Sequence, residues 1–265
     1  MAKKRAPLSP FTVIGELLLV GGLAVFGYIL WQPWYTSTVV AAAQSEIAGE
    51  ISDQWAKETD ESADPQDTAV ITDPNLVPAA EVPGYGETFG VLYVPAFGGT
   101  YANQIATGTR GDVLDDSARG IGYYEGSAAP GAAGNFAVAA HRSGPLTTPF
   151  HNIDFLKVGD PVFVETKEGW YTYRFRSAEY VLPDTRDVLN TFPRVAETGQ
   201  TPSERILTFT TCNPKTFGWD ERMIAYSVFE SFTPRAAGVP AELAELNPNL
   251  VTANGGKVSE NGDRA

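Results

Sequence analysis

Cys212, His141 and Arg222 are of the types that carry out acyl transfer, and each lies at the end of an apolar run. Cys212 closes Ile206-Leu-Thr-Phe-Thr-Thr-Cys212, whose β-branched and aromatic content reads as a strand ending on the thiol. Arg222 stands at the start of Glu221-Arg-Met-Ile-Ala-Tyr-Ser-Val-Phe229, a second strand. The nine residues between them include Asn213-Pro214 and Gly218, turn residues that would fold the two strands antiparallel. Cys212 and Arg222 are therefore expected to be neighbours. His141 ends a third run, Gly134-Asn-Phe-Ala-Val-Ala-Ala-His141. Acyl transfer at an amide needs a nucleophile, a proton carrier for the leaving amine and positive charge for the oxyanion. Cys212 would attack the carbonyl and hold the acyl group as a thioester. His141 would protonate the departing amine and deprotonate the incoming one. Arg222 would stabilise the oxyanion or position the carbonyl, with the backbone near Thr211 as a further donor. An ordinary thiol and imidazole that titrate independently are thiolate and imidazolium together in only about 1% of molecules at neutral pH.

Each residue also has a plainer role open to it. A single cysteine excludes an internal disulfide framework, and free cysteine is often a small buried hydrophobe. Arg222 has Asp220 and Glu221 beside it as surface ion-pair partners, and His141 has the role of a strand-end hydrogen bonder. The common placement of all three at strand ends weighs for chemistry. His151, inside a short helical piece, reads as structural. Two histidines and one cysteine make a poor metal-ligand set, so neither metal nor other cofactor is expected. The acids Asp184, Asp187, Glu197 and Glu204 between two strands are too scattered for a calcium site.

The elements that must position these residues are short. Strands are expected at 90–94, 135–141, 161–165, 170–180, 205–211 and 223–229, with brief helices at 112–117 and 149–156. Such spacing favours a barrel or sandwich over residues 88–235. Ahead of it, Phe11 to Trp31 is apolar and long enough, at about 1.5 Å per residue, to cross a hydrocarbon core of about 30 Å. Lys3, Lys4 and Arg5 precede it and no Lys or Arg follows until Lys57, so residues 1–10 are expected in the cytoplasm and the rest outside the cell membrane. Trp31, Trp34 and Tyr35 suit the outer interface. A cleaved signal peptide is the competing possibility, with Ala41-Ala42-Ala43 as its site, but the apolar run is too long for one. Residues 32–56 read as a helical stalk with Val39, Ala43, Ile47, Ile51 and Trp55 four apart, 57–87 as an acidic flexible linker, and 236–265 as a disordered tail.

The net charge of −13 argues against nucleic acid as a partner. Its distribution is uneven. Residues 45–87 hold eleven acids and one lysine, whereas residues 88–235 hold sixteen acids and thirteen bases. The acidity thus belongs to the connecting segment and not to the domain.

These segments resemble the sortase family of Gram-positive cysteine transpeptidases. Thr208-Phe-Thr-Thr-Cys212 is similar to the family's T-L-x-T-C motif, with Phe209 in the leucine place. Arg222 sits where the family's arginine follows, and His141 ends a similar histidine strand. Gly120-Ile-Gly-Tyr-Tyr-Glu-Gly-Ser-Ala-Ala-Pro-Gly131 and Pro149-Phe-His-Asn-Ile-Asp-Phe-Leu156 extend the likeness over about 88–232. It implies a mainly β fold, the closed eight-stranded sortase-type barrel with short helices behind an N-terminal transmembrane helix. Gly15-Glu-Leu-Leu-Leu, Trp31-Gln-Pro-Trp-Tyr-Thr36 and the pair Tyr123-Tyr124 look like class E sortases of actinobacteria. That resemblance implies secreted donors with a C-terminal Leu-Ala/Pro-x-Thr-Gly-like sorting signal cut between Thr and Gly, a peptidoglycan peptide amine as acceptor, and substrate contacts at Tyr124, Thr210 and Thr211. Pilin-polymerising sortases tend to carry an Asp-Pro-aromatic lid, and Asp73-Pro74-Asn75 lacks the aromatic. An L,D-transpeptidase would place arginine two residues after the cysteine, where Pro214 stands. A non-catalytic anchored barrel is the remaining alternative.

Overall fold

Period-two alternation of apolar side chains closes the sheet around one interior. The structure is a computed structural model that describes residues 9–60, 69–144, 146–196, 203–216, 218 and 220–259. Helix α1 (Pro10–Tyr35) passes through a short π-helical stretch (Thr36–Val40) into helix α2 (Ala41–Asp60). Eight strands follow: β1 (Thr88–Tyr93), β2 (Ala102–Thr107), β3 (Ile121–Tyr123), β4 (Gly134–Ala140), β5 (Pro161–Glu165), β6 (Gly169–Val181), β7 (Arg205–Asn213) and β8 (Glu221–Pro234). They form a closed barrel in the order β1-β2-β3-β4-β7-β8-β6-β5. The β2–β3 and β4–β7 pairs are parallel and the others antiparallel.

Side chains on a strand alternate between faces. Phe136, Val138 and Ala140 of β4, Leu207 and Phe209 of β7, and Met223 and Ala225 of β8 fill the interior. Their neighbours in sequence point outward, and this parity decides which residues can meet a substrate. The expected strand at 90–94 is almost continuously apolar for a different reason. Val91 and Tyr93 face out, yet they are covered together with Phe163 and Trp170 by Ala48 of α2 and by Val239, Leu243 and Leu250 of the C-terminal segment. A strand buried on both faces loses its polar alternation.

Two expected segments differ in the structure. Residues 236–259 are folded, not disordered. They form α4 (Ala241–Leu246) and α5 (Pro248–Ala253), after the single-turn α3 (Gly111–Leu114) earlier in the chain. Leu243 and Leu250 give this Ala- and Asn-rich tail just enough apolar surface to dock. The stalk does not stand clear of the domain: α2 lies on the barrel through Gln44, Ala48 and Ser52, all buried. That face is displaced by one residue from the expected 39/43/47/51/55 stripe, because Gln44 and Ser52 are polar and buried in hydrogen bonds. The linker is part of the domain from residue 69 onward. Ile71 pairs with Phe232, and Tyr171 OH donates to the Pro78 carbonyl at 3.1 Å. Gly131 accommodates this strap. Its φ is +78°, and a Cβ there would overlap the Pro78 carbonyl and the Tyr171 ring. Residues 61–68 and 260–265 lie outside the described residues.

Candidate active site

Strands β4, β7 and β8 are consecutive in the barrel, and Cys212 of β7, Arg222 of β8 and His141, the residue after β4, lie at the same end. Cys212 pairs directly with Arg222 across the β7–β8 ladder. In the parallel β4–β7 ladder Ala139 is level with Thr210, and Thr211 Oγ1 donates to the Ala140 carbonyl at 2.7 Å. Continuing that register by two residues brings His141 level with Cys212. Face follows from parity. Interior Ala140, Leu207, Phe209, Met223 and Ala225 put His141, Cys212 and Arg222 on the outer face together. Cys212 is half-buried there, accessible enough to react.

The surface beside the thiol is built from the same outward parity. Tyr124, just beyond β3, hydrogen-bonds through its hydroxyl to Thr210 Oγ1 at 2.9 Å. Thr208 Oγ1 donates to Asn135 Oδ1 at 2.6 Å, and Asn135 Nδ2 in turn holds the carbonyls of Val188 and Asn190. Val181, Val188, Ile206, Ile224 and Tyr226 form an apolar cluster beneath the β6–β7 connection. Burial and the nearby Glu179 carboxylate push the Tyr226 phenol far above its ordinary range, so it remains the donor to Glu179 Oε1 at 2.7 Å. Of the substrate-contact candidates, Tyr124 and Thr210 share this outer face with Cys212. Thr211 points inward and caps the end of β4, so its side chain is turned away from the outer face.

Two residues that the sequence did not single out complete the arrangement. Asp115, just past α3, lies with Oδ1 2.7 Å from His141 Nε2. A carboxylate can only accept, so Nε2 donates and Nδ1 of the neutral ring is left to receive a proton. A carboxylate far away in sequence gave no local signal for this contact. Arg142 is buried, and its guanidinium donates to Asn213 Oδ1 at 2.5 Å and faces Asp154 at 3.3 Å. It braces the end of β4 to the end of β7, beside both His141 and Cys212. Burial alone would raise the Asp154 carboxyl, but Lys215, the backbone and Arg142 outweigh that and hold it below the usual carboxylate range. His151 Nδ1 meets the Arg142 carbonyl at 2.8 Å, a structural contact. Asn213 Nδ2 donates to Glu221, and Arg222 Nη1 to the Glu221 carbonyl. Among the four scattered acids, Asp187 pairs with Arg194 and Glu204 with Arg176, and Glu197 lies outside the described residues.

The Asp115 contact gives a first expected result. Both side chains are partly exposed, so the pair is worth no more than about 1 kcal/mol, or roughly fivefold in rate. Asp115→Asn should lower kcat by about twofold to fivefold with little change in KM. Side-chain nitrogen NMR, with only two histidines to assign, should show the Nε2-protonated tautomer of His141 losing its dominance. An unchanged tautomer balance and kcat would leave Asp115 without a positioning role.

The arrangement, a thiol with a histidine and an arginine level with it on the neighbouring strands, is suited to acyl transfer through a thioester. Comparison with known proteins points the same way. A family profile described as "Sortase domain" matches residues 92–230. Sortase SrtE2 of Streptomyces coelicolor is 32% identical over 77% of this chain and 76% of its own. The SrtA sortase from Actinomyces oris is similar in structure, with a TM-score of 0.58, 35% identity and coverage of 65% of this chain and 95% of that one. Sortase E from Streptomyces avermitilis has a TM-score of 0.52 at 33% identity, covering 61% and 99%. With its closed eight-stranded barrel and this match over more than half its length, the chain belongs to the sortase family of cysteine transpeptidases.

Proposed function

We propose that the chain attaches secreted proteins to the cell wall from the outer face of the membrane. Cys212 takes the acyl group as a thioester, His141 moves the proton between leaving and incoming amine, and Arg222 stabilises the oxyanion. The observation that supports these roles above all is the common outer face of the three residues on adjacent strands. The donor is a Leu-Ala-x-Thr-Gly or Leu-Pro-x-Thr-Gly-like signal cut between Thr and Gly, and the acceptor is a peptidoglycan peptide amine. The Tyr124–Thr210 hydrogen bond supports the preference for alanine at the second position, since it sets a tyrosine against the outer face of β7 two residues from the thiol.

Anchoring rests on α1. Its segment Pro10–Gln32 has mean hydropathy 2.2, and none of its apolar window is buried in the protein. Twenty-three residues rise about 35 Å, enough for a bilayer core of about 30 Å. Trp31 and Tyr35 stack at 4.8 Å where such a span would meet the interface. Continuity into the docked α2 favours a retained anchor over a removed signal. The basic residues that orient it, Lys3 to Arg5, lie outside the described residues. Pilin polymerisation is the second reading, but Asp73-Pro74-Asn75 sits beside Ile71, which pairs with Phe232. That is ten residues along β8 from Arg222, about 30 Å away, so this motif does not cover the thiol.

A peptide panel varying the second position, with and without an amine acceptor, tests the proposal. The expected result is cleavage after Thr, alanine preferred over proline, and a transfer product only with amine. Tyr124→Phe should narrow the alanine preference by a few fold. Cleavage elsewhere, or transfer confined to lysine side chains of a folded partner, would refute it.

A further inference from the structure

We infer that the active-site end of the barrel is held against the bilayer surface, with the loop that follows His141 in contact with lipid headgroups. This rests on the proposed membrane span of α1. Gln32 is the last residue of the apolar segment, and its Nε2 donates to the Gly144 carbonyl at 2.8 Å. If α1 crosses the membrane up to Gln32, Gly144 lies at its surface. His141 precedes Gly144 by three residues, which span at most about 10 Å.

Given that span, the direction of α2 supports the same orientation through separate contacts. Contacts along the helix run outward from the membrane in order. Gln44 Nε2 donates to Thr147 Oγ1 at 2.7 Å, Ser45 to the Thr100 carbonyl at 2.8 Å, and Ser52 to Glu165 at 2.7 Å. Glu58 meets Lys167 last, at 3.5 Å. Residue 58 lies about 39 Å beyond residue 32 along a continuous helix, so Lys167 marks the end of the barrel far from the bilayer. The β4–β5 connection, which carries Gly144 and Thr147, marks the near end. It also exposes Leu146, Phe155 and Val158. Apolar side chains next to the emergence point of a membrane helix suit the headgroup boundary, where they lose contact with water without entering the core. A second protein on this loop is the alternative occupant, but the tie between Gln32 and Gly144 leaves lipid already adjacent.

Labelling of single cysteines in the full chain tests this. In a Cys212→Ala background, Leu19→Cys, Leu146→Cys and Lys167→Cys would each carry bimane. Each protein is reconstituted in phosphatidylcholine–phosphatidylglycerol vesicles containing nitroxide-headgroup or 5-doxyl lipid. The expected result is strong doxyl quenching at residue 19, headgroup-nitroxide quenching at residue 146 several-fold above that at residue 167, and little at 167. Quenching at 146 no greater than at 167, with residue 19 still quenched, would overturn the inference and leave the anchor intact. Loss of quenching at residue 19 would overturn the anchor and this inference together.

Discussion

Cys212→Ala is expected to abolish peptide cleavage and transfer, a loss of at least about 10⁴-fold, without destabilising the barrel. The thiol lies half-buried on the outer face, so its loss leaves no interior cavity of the kind that costs several kcal/mol. Alanine keeps the β7 backbone and its ladder to Arg222. Thermal unfolding should therefore be nearly unchanged while turnover disappears. Arg222→Ala supplies the graded companion. Removing one oxyanion donor costs about 10² to 10³ in kcat, or roughly 3–4 kcal/mol. Arg222→Lys should recover only part of this, because a point-like ammonium does not reproduce the planar fork of a guanidinium. Thiol alkylation of the Arg222 variants should persist, which separates a lost oxyanion donor from a collapsed site. Cleavage that survives Cys212→Ala would sink the thioester mechanism, whereas a parent chain that cleaves nothing would leave an anchored binding barrel.

The sequence displayed the site better than the shell around it. Cys212 and Arg222 are one hairpin apart, so local pattern alone pairs them, and the register agrees. His141 is distant in sequence, and only the parallel β4–β7 pairing, a long-range feature, makes it level with Cys212. Six of the eight strands were legible from β-branched and aromatic runs. The missing two have physical causes. Strand β2 buries Asn103, Gln104 and Thr107, so it lacks apolar alternation, and β3 is only three residues long. Asp115 and Arg142 escaped notice because their meaning lies in tertiary partners. The docked α2 and the folded tail escaped it because each contributes few apolar side chains and several buried polar ones. Residues such as Gln44, Ser52 and Asn254 read as solvent-facing until their partners are known.

Those buried polar groups set up the largest expected effect on stability. Arg235→Met should destabilise the protein by about 3–5 kcal/mol, the cost of leaving a buried charge without its partner. Glu165 is fully buried, and Arg235 Nη2 approaches its Oε1 at 2.9 Å. Ser52 donates to the same oxygen at 2.7 Å and Tyr93 to Oε2 at 2.6 Å. Burial, then the charge on Glu165, pushes the Tyr93 phenol far above its ordinary range, so it stays a donor at physiological pH. Arg235 also donates to the Lys167 and Thr166 carbonyls and lies 4.6 Å from the Trp170 ring and 5.5 Å from that of Trp55. Asn254 of the tail reaches Ser52 at 2.9 Å, so α2, the barrel and the tail meet at this one carboxylate. For a domain of this size the melting temperature should fall by about 6–20 °C. The double replacement Glu165→Leu with Arg235→Met should recover most of the loss, since apolar groups of similar volume often replace a buried ion pair at little cost. Turnover at 25 °C should hardly change, because this knot lies far from Cys212. A single replacement costing under about 1 kcal/mol would show that the pair is solvated, and that α2 is held to the barrel by Ala48 and its apolar neighbours instead.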